Sequence, residues 1–232
     1  MPLSRYVGAV SKLAILGGTG GQGFSLALRF AAAGEPIVIG SRSAERAAEA
    51  AAKVRAAVPR AQVEGLENVA AAALAERVVL TLPVEGLDAF LDRGGSQLAG
   101  KLVIDAMVPL VVRKRVAELE TVAGAPSVTE LVQGRVPQAR VVCAFKNLPS
   151  EALHDLSRTL ASDVLLCGDD EAARREVAVL VEHVPGLRAI DAGPARLARY
   201  VEGLTALLVS LNLRHRAQTS IAVTGLPAGL QA

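Results

Sequence analysis

The chain has 232 residues, of which 51% are hydrophobic, so it can bury a substantial core and fits one large α/β domain. Its formal net charge of +2 is too small to indicate a nucleic-acid-binding surface. No apolar run reaches the roughly 18 residues that span a bilayer, and residues 1–11 lack the apolar centre of a signal peptide. The sequence therefore predicts a cytoplasmic protein with a short leader, and neither a membrane nor a nucleic acid as partner.

A glycine-rich stretch near the start organises the rest of the chain. Leu13–Leu16 is a short apolar run typical of a buried parallel strand, and Phe24–Ala33 has the spacing of a helix. A strand, a glycine turn and a helix in this order bind a dinucleotide pyrophosphate at the start of the helix, although a purely structural turn is the alternative. The G-x-G-x-x-G motif between them predicts these cofactor-binding residues: Gly18, Thr19, Gly20, Gly21, Gln22 and Gly23.

The three motif glycines have separate expected roles. Gly18 permits the turn, Gly20 lets the backbone approach the phosphates, and Gly23 lets the helix pack closely on the strand.

The tip of the second strand, Ile37–Ile39, predicts which nicotinamide cofactor binds. NAD-binding sites place a carboxylate here for the ribose 2′-hydroxyl, and that carboxylate would repel a 2′-phosphate. This chain has Ser41 and Arg42 instead, with Arg46 one helical turn further on. A hydroxyl and guanidinium groups bind phosphate oxygens well, so the tip favours NADP. In the alternative, Ser41 only caps the next helix and both arginines are solvated.

The remaining apolar patterns alternate between strands and helices. Further strands are predicted at Ala61–Glu64, Arg77–Leu82, Leu102–Asp105, Arg140–Phe145, Val164–Cys167 and Leu187–Ile190. Further helices are predicted at Ser43–Val58, Val69–Ala75, Leu87–Leu91, Arg113–Glu120, Ser127–Val136, Glu171–His183 and Ala195–Arg214, the last with Pro194 suited to its first position.

This alternation predicts a Rossmann-type, doubly wound, mostly parallel sheet with a small C-terminal helical extension. Residues 1–148 would form the NADP-binding domain. Residues 149–232 would supply the strands and the long helix that complete the sheet and the second-ligand site.

Ligands in such sheets lie beyond the carboxyl ends of the strands. Thr81, Leu82, Pro83 and Met107 follow two of these ends, where a nicotinamide ring could lie. Another strand ends before Lys146, Asn147 and Leu148, which are predicted to contact the substrate. A solvated lysine at a loop tip is the alternative for Lys146.

The cysteines and histidines give no metal-binding pattern. Cys143 and Cys167 sit singly in apolar runs and are expected to be buried free thiols, although neighbouring strands would allow a disulfide. His154, His183 and His215 lack ligand spacing and are expected at helix ends or on the surface.

Several of these motifs together resemble the NADPH-dependent reductases of the deazaflavin coenzyme F420, over nearly the whole chain. The resemblance implies a homodimer that passes hydride between NADP(H) and F420. It is carried by Leu16-Gly17-Gly18-Thr19-Gly20, Gly40-Ser41-Arg42, Thr81-Leu82-Pro83, Cys167-Gly168-Asp169-Asp170 and Asp191-Ala192-Gly193-Pro194.

The same resemblance implies roles for individual residues. Ser41, Arg42 and Arg46 match positions that grip the 2′-phosphate. Arg199 and Thr205 match positions that hold the phosphate-bearing side chain of the deazaflavin. The chain departs from the family at Gly203, where some members have serine, and at Lys146, where relatives commonly have histidine beside the deazaflavin ring.

Hydride transfer between two stacked rings depends on placement rather than on acid–base chemistry, so no catalytic residue is predicted. Lys146 could stabilise negative charge on the deazaflavin. Two alternatives remain. One is an NADPH-dependent reductase of another flavin, a metal chelate or a small carbonyl compound. The other is a non-catalytic NADP-binding redox sensor.

Overall fold

The computed structural model describes residues 11–226, so all of the predicted leader except Ser11 lies outside the described part. An eight-stranded sheet contains β1 (Leu13–Leu16), β2 (Ile37–Ser41), β3 (Val63–Glu67), β4 (Arg77–Leu80), β5 (Leu102–Asp105), β8 (Arg140–Cys143), β9 (Ser162–Cys167) and β10 (Leu187–Gly193). A separate hairpin consists of β6 (Leu110–Arg113) and β7 (Val116–Leu119).

The helices are α1 (Gly21–Ala32), α2 (Ala44–Ala57), α3 (Asn68–Leu74), α4 (Leu87–Gly94), α5 (Val128–Arg135), α6 (Ser150–His154), α7 (Glu171–Glu182) and α8 (Ala198–His215). None of the helices within residues 11–226 is long and apolar enough to cross a membrane.

The strand order of the large sheet reverses at its centre. The order is β10-β9-β8-β5-β4-β1-β2-β3, so the chain leaves β1 in one direction through β2 and β3 and returns on the other side at β4. The six strands from β8 to β3 are mutually parallel. This arrangement confirms the predicted Rossmann-type fold, and it opens a crevice beyond the carboxyl ends of β1 and β4.

Strands β9 and β10 run against the other six. They pair in parallel with each other, and β9 meets β8 antiparallel at one register pair, Cys143 with Cys167. The two strands are therefore the neighbours that a disulfide would need, and both thiols are free and buried.

Helices cover both faces of the sheet. Leu13 and Ile15 of β1 face a core shared with α1, α2 and α7, while Ala14 and Leu16 face α3, α4 and α5. All four of these side chains are fully buried, which explains why β1 has an unbroken apolar sequence.

The helix predicted over Arg113–Glu120 is wrong. The segment forms most of the β6–β7 hairpin, in which Val112 pairs with Ala117. Lys114 and Arg115 form the two-residue turn, with φ values of +47° and +66°. This left-handed pair matches the twist of a tight hairpin but is normally supplied by Asn or Gly, so Lys114 and Arg115 carry no turn signal.

The predicted start of the last helix is also wrong. Asp191–Gly193 continues β10, and Pro194 lies in extended backbone before a 3₁₀ turn, so α8 begins only at Ala198. Asp169, which is remote in sequence, stabilises the turn before α8: its Oδ1 accepts from the Ala195 N–H at 2.9 Å.

A buried charge cluster of Asp105, Lys146 and Glu202 joins β5, the segment after β8, and α8. Lys146 Nζ lies 2.6 Å from Asp105 Oδ2 and 2.7 Å from Glu202 Oε1, and all three side chains are at most 2% exposed. Helix α5 completes the cluster: Thr129 Oγ1 donates to Asp105 at 2.7 Å, and the Val128 N–H donates to Glu202 at 3.0 Å. The solvated-lysine alternative for Lys146 is therefore wrong.

The cluster keeps its cation charged. Burial alone lowers the pKa of Lys146, but the nearby carboxylates more than reverse this and raise it well above its ordinary value. Burial raises the pKa of Glu202, an effect that the Lys146 ammonium offsets only in part. One cation thus serves two carboxyl groups.

Replacing Lys146 with Met should destabilise the fold, because Asp105 and Glu202 lose their shared cation in a dry environment. We expect the free energy of unfolding near neutral pH to fall by about 3–5 kcal/mol. With no cation to offset its burial, the Glu202 carboxyl group has a folded-state pKa further above its unfolded one. The folded variant then binds more protons than the unfolded chain, so its stability falls as the pH rises from about 5 to about 8.

Urea denaturation across that pH range measures the effect. The control combines Lys146→Met with Glu202→Gln, which removes one uncompensated carboxylate and should restore part of the stability at the high end. A Lys146→Met protein as stable as the wild type at every pH would contradict this role.

Candidate functional site

The β1–α1 turn is held by close backbone contacts. Gly17 has a φ of +77°, and a Cβ there would lie 2.6 Å from the Thr81 carbonyl oxygen. Gly17 is therefore the left-handed residue of the turn. A Cβ on Gly18 would instead lie 2.8 Å from the Ile15 carbonyl oxygen. At Gly23 it would lie 2.3 Å from Thr81 Oγ1, which is the close helix–strand packing expected of this glycine.

Two side chains fix the turn from neighbouring elements. Asn68 Oδ1, at the start of α3, accepts from the Gly17 N–H at 3.2 Å. Thr81 Oγ1, just after β4, donates to the Leu16 carbonyl at 2.7 Å. The path of the backbone before α1 is thus set by residues more than fifty positions away.

Helix α1 begins at Gly21, earlier than the predicted Phe24. No side chain caps its N-terminus, so the first-turn N–H groups have no capping acceptor. These groups and the positive end of the helix dipole suit a phosphate.

The first cleft, of about 550 Å³, opens beside this turn. It lies between the turn, the tip of β2 and the loop from β4 to α4. Its walls are Gly17, Thr19, Gly20, Ser41, Arg42, Arg46, Asn68, Thr81, Leu82, Pro83, Glu85, Gly86, Ala89, Phe90 and Arg93.

The tip of β2 gives the first cleft a basic wall. Arg42 and Arg46 are exposed, and within residues 11–226 neither guanidinium has a hydrogen-bond or ion-pair partner. Ser41 Oγ lies 3.5 Å from Thr19 Oγ1, so the tip and the glycine turn meet. The Ser41 capping alternative is wrong, because Ser43 caps α2 by accepting from the Arg46 N–H at 3.3 Å.

Most predicted cofactor residues gather here, and some do not. Thr19, Gly20, Ser41, Arg42, Arg46, Thr81, Leu82 and Pro83 line the first cleft together. Gly18 and Gly23 pack against neighbouring backbone instead, and Gly21 lines a third cleft of about 430 Å³ on the outer side of the turn. Met107 is 3% exposed and belongs to the core.

The second cleft, of about 640 Å³, lies between the ends of β5 and β8 and the later half of α8. Apolar and polar residues contribute equally to its lining. It consists of Gln22, Ala106, Val108, Leu110, Lys146, Leu148, Pro149, Ser150, Glu151, Thr205, Val209, Asn212, Leu213, Arg216, Ala217 and Gln218.

Three predicted substrate residues border the second cleft: Lys146, Leu148 and Thr205. The Lys146 ammonium points into the buried charge cluster. The backbone carbonyl of Lys146 accepts from Thr205 Oγ1 at 3.1 Å. Asn147 is buried and donates to the Asp163 carbonyl at 2.6 Å. Arg199 lies outside the cleft, with its Nε donating to the Arg196 carbonyl.

The two clefts are neighbours at the same edge of the sheet. Gly20 borders the first and Gln22 the second, on either side of the start of α1. Thr81 and Ala106 border the first and second clefts and follow the adjacent strands β4 and β5. A dinucleotide along the first cleft can therefore present one end to a ligand in the second.

Sequence reasoning missed several residues of both clefts. Asn68, Phe90 and Arg93 in the first cleft lie inside or beside helices and carry no motif. In the second cleft, Asn212 and Arg216 come from the end of α8. A turn or strand-end signal could not have found them, because the tertiary fold alone brings α8 to this edge.

Known proteins share this fold and these motifs. A family model described as "NADP oxidoreductase coenzyme F420-dependent" matches residues 12–109. The F420-dependent NADP reductase of Methanocaldococcus jannaschii is 39% identical over 93% of this chain and 99% of that relative. The enzyme of the same name from Methanothermobacter thermautotrophicus is 39% identical over 94% of this chain and 97% of that relative.

Structural comparison agrees with the sequence match. The crystal structure of a candidate F420-dependent NADP reductase from Arthrobacter sp. FB24 has a TM-score of 0.77 and 28% identity, over 92% of this chain and 100% of that one. The family resemblance predicted from the motifs is thus confirmed. This chain belongs to the F420-dependent NADP reductase family.

Proposed function

We propose that this protein transfers a hydride between NADP(H) and the deazaflavin coenzyme F420. The observation that carries the proposal is the adjacency of two clefts at the switch point of the sheet. One has a basic wall and an uncapped helix start, and the other has a larger volume and several apolar side chains. Its full-length relatives bear the name F420-dependent NADP reductase.

The first cleft suits NADP(H). The uncapped start of α1 and the absence of Cβ atoms at Gly20 and Gly21 leave room for a pyrophosphate against the backbone. Ser41, Arg42 and Arg46 are the proposed contacts of the 2′-phosphate, since they offer donors and positive charge at the β2 tip. Thr81, Leu82 and Pro83 line the end of the cleft nearest the second one and are the proposed neighbours of the nicotinamide ring.

The second cleft is the proposed site of the deazaflavin. The nicotinamide and the deazaflavin supply the hydride chemistry themselves, so the chain contributes placement and exclusion of water. Ala106, Val108 and Leu148 offer an apolar surface for a planar ring, and Gln22 is fixed beside it by donating to the Phe145 carbonyl at 3.0 Å.

Lys146 acts on this cleft indirectly. Its ammonium is shared by Asp105 and Glu202, so it brings no free positive charge to an acidic ligand. We propose that it positions the backbone that borders the cleft, together with Thr205.

An acceptor assay tests the function. NADPH is mixed with the pure protein and, separately, with F420, a free flavin, a ferric chelate or a small carbonyl compound, while absorbance follows each cofactor. We expect rapid oxidation of NADPH with F420 alone. Turnover only with another acceptor would instead support the first alternative, and tight NADPH binding without turnover would support the redox sensor.

Arg42→Ala tests the cofactor preference. Loss of a charge-assisted contact to the 2′-phosphate should weaken NADPH binding by roughly 1.5–3 kcal/mol and leave NADH binding nearly unchanged. Titration of each cofactor measures the Kd values. The matched control is Arg60→Ala, another exposed arginine, which lies outside the first cleft. Equal weakening of NADPH and NADH would remove Arg42 from the 2′-phosphate site.

We further propose a cytoplasmic homodimer built on α8. Tyr200 and Leu207 lie on the same side of this helix, 67% and 58% exposed. The hairpin packed against α8 adds exposed Val112 and Val116. So much exposed apolar surface in one region is typical of an interface. Arg199 stays a proposed contact of the deazaflavin side chain. Because Arg199 lies outside the second cleft of its own chain, it would contact a deazaflavin bound to the other copy of the dimer.

Leu207→Glu should turn the dimer into a monomer, because it would bury a charge in the proposed interface. Sedimentation velocity measures the oligomeric state. Val179→Glu is the control, since Val179 is 56% exposed on α7, on the other face of the sheet. A wild-type protein that is monomeric at every concentration would contradict the proposal.

A further inference from the structure

The second cleft needs a cation for an acidic ligand, and its lining contains two. Lys146 is one, but its ammonium is fully buried between Asp105 and Glu202. Arg216 is the other. It is exposed at the end of α8, and within residues 11–226 its guanidinium has no hydrogen-bond or ion-pair partner.

The backbone holds Arg216 in place. It caps α8 in the left-handed conformation, with φ +53° and ψ +46°, and its N–H donates to the Asn212 carbonyl. Two residues on, Gln218 Nε2 donates to Glu151 Oε2 at 2.8 Å, and Gln218 Oε1 accepts from Arg158 Nη1 at 2.6 Å. Thr219 Oγ1 donates to Asn212 Oδ1 at 2.7 Å. The chain that carries Arg216 is therefore a fixed wall of the cleft.

The hydrogen bond from Gln218 also engages the carboxylate in the lining of the second cleft. Glu151 is the carboxylate among the described residues of this cleft, and it accepts from Gln218 rather than from Arg216. An unpaired guanidinium on a fixed backbone, beside a cleft with apolar side chains, suits a ligand with a planar body and an anionic extension.

We infer that Arg216 binds the acidic, phosphate-bearing side chain of the deazaflavin as it leaves the second cleft. This inference rests on the proposed function and adds a residue that distinguishes the complete coenzyme from a deazaflavin core without the acidic side chain. Arg216 contacts the part of the ligand that does not react, so it sets affinity and leaves the hydride step alone.

The test compares steady-state kinetics for F420 and for the deazaflavin core that lacks the phosphate and carboxylates. Arg216→Asn removes the charge, and Asn tolerates the left-handed backbone. We expect it to raise the KM for F420 by about five- to tenfold, the range of a partly exposed charge-assisted contact. The kcat, the KM for NADPH and the KM for the core should not change.

Two further variants make the result specific. Arg216→Lys keeps a positive charge and should retain most of the wild-type KM for F420. Arg214→Gln removes an exposed arginine from the last turn of α8 that does not line the cleft, and should leave every constant unchanged. In the wild type, added salt should raise the KM for F420 more steeply than in Arg216→Asn.

An unchanged KM for F420 in Arg216→Asn would overturn the inference, as would an equal rise in Arg214→Gln, which would indicate only general attraction. A wild-type protein that reduces neither F420 nor its core would refute the proposed function itself, and the two failures are therefore distinguishable.

Discussion

The absence of Cβ atoms in the β1–α1 turn is the constraint on which the rest of the structure depends. Side chains at Gly17, Gly18 or Gly23 would collide with the backbone of β1 or with Thr81. With glycine at these positions, β1, β4 and α1 pack closely together. The start of α1 then borders the first cleft. The hydrogen bond from Gly17 to Asn68 links this turn to α3 as well. One local sequence feature thus positions the ends of three elements.

The local part of this arrangement was predictable from the sequence. The glycine motif and the β2 tip predicted the first cleft, because its contacts lie within short stretches of chain. The left-handed conformation of Gly17 was not predicted, since Gly17 precedes the G-x-G-x-x-G motif. The β6–β7 turn was not predicted because Lys and Arg are not typical of left-handed turn positions, which Lys114 and Arg115 adopt here.

The second cleft could be predicted only in part. Lys146 was placed correctly at a strand end, but its partners Asp105 and Glu202 are 41 and 56 positions away. Hydrophobic periodicity does not predict such long-range ion pairs. Because the cluster is buried, the Lys146 ammonium stabilises the fold and does not contact the ligand. Arg216 gave no signal for the same reason, because only the packing of α8 against the β6–β7 hairpin, α5 and β9 brings it to the cleft. Family resemblance supplied the identity of the ligand, which geometry alone would not name.

The central claim is that two redox rings face each other where the two clefts adjoin, beyond the ends of β4 and β5, and exchange a hydride directly. The most direct measurement is a single turnover with NADPH carrying deuterium at both positions of its hydride-donating carbon, followed by mass spectrometry of the reduced F420. The account predicts one deuterium retained in the product and none lost to water, because a hydride that passes directly between two ring carbons does not exchange with solvent. Reduced F420 without deuterium would contradict direct transfer and with it the proposed arrangement of the two clefts.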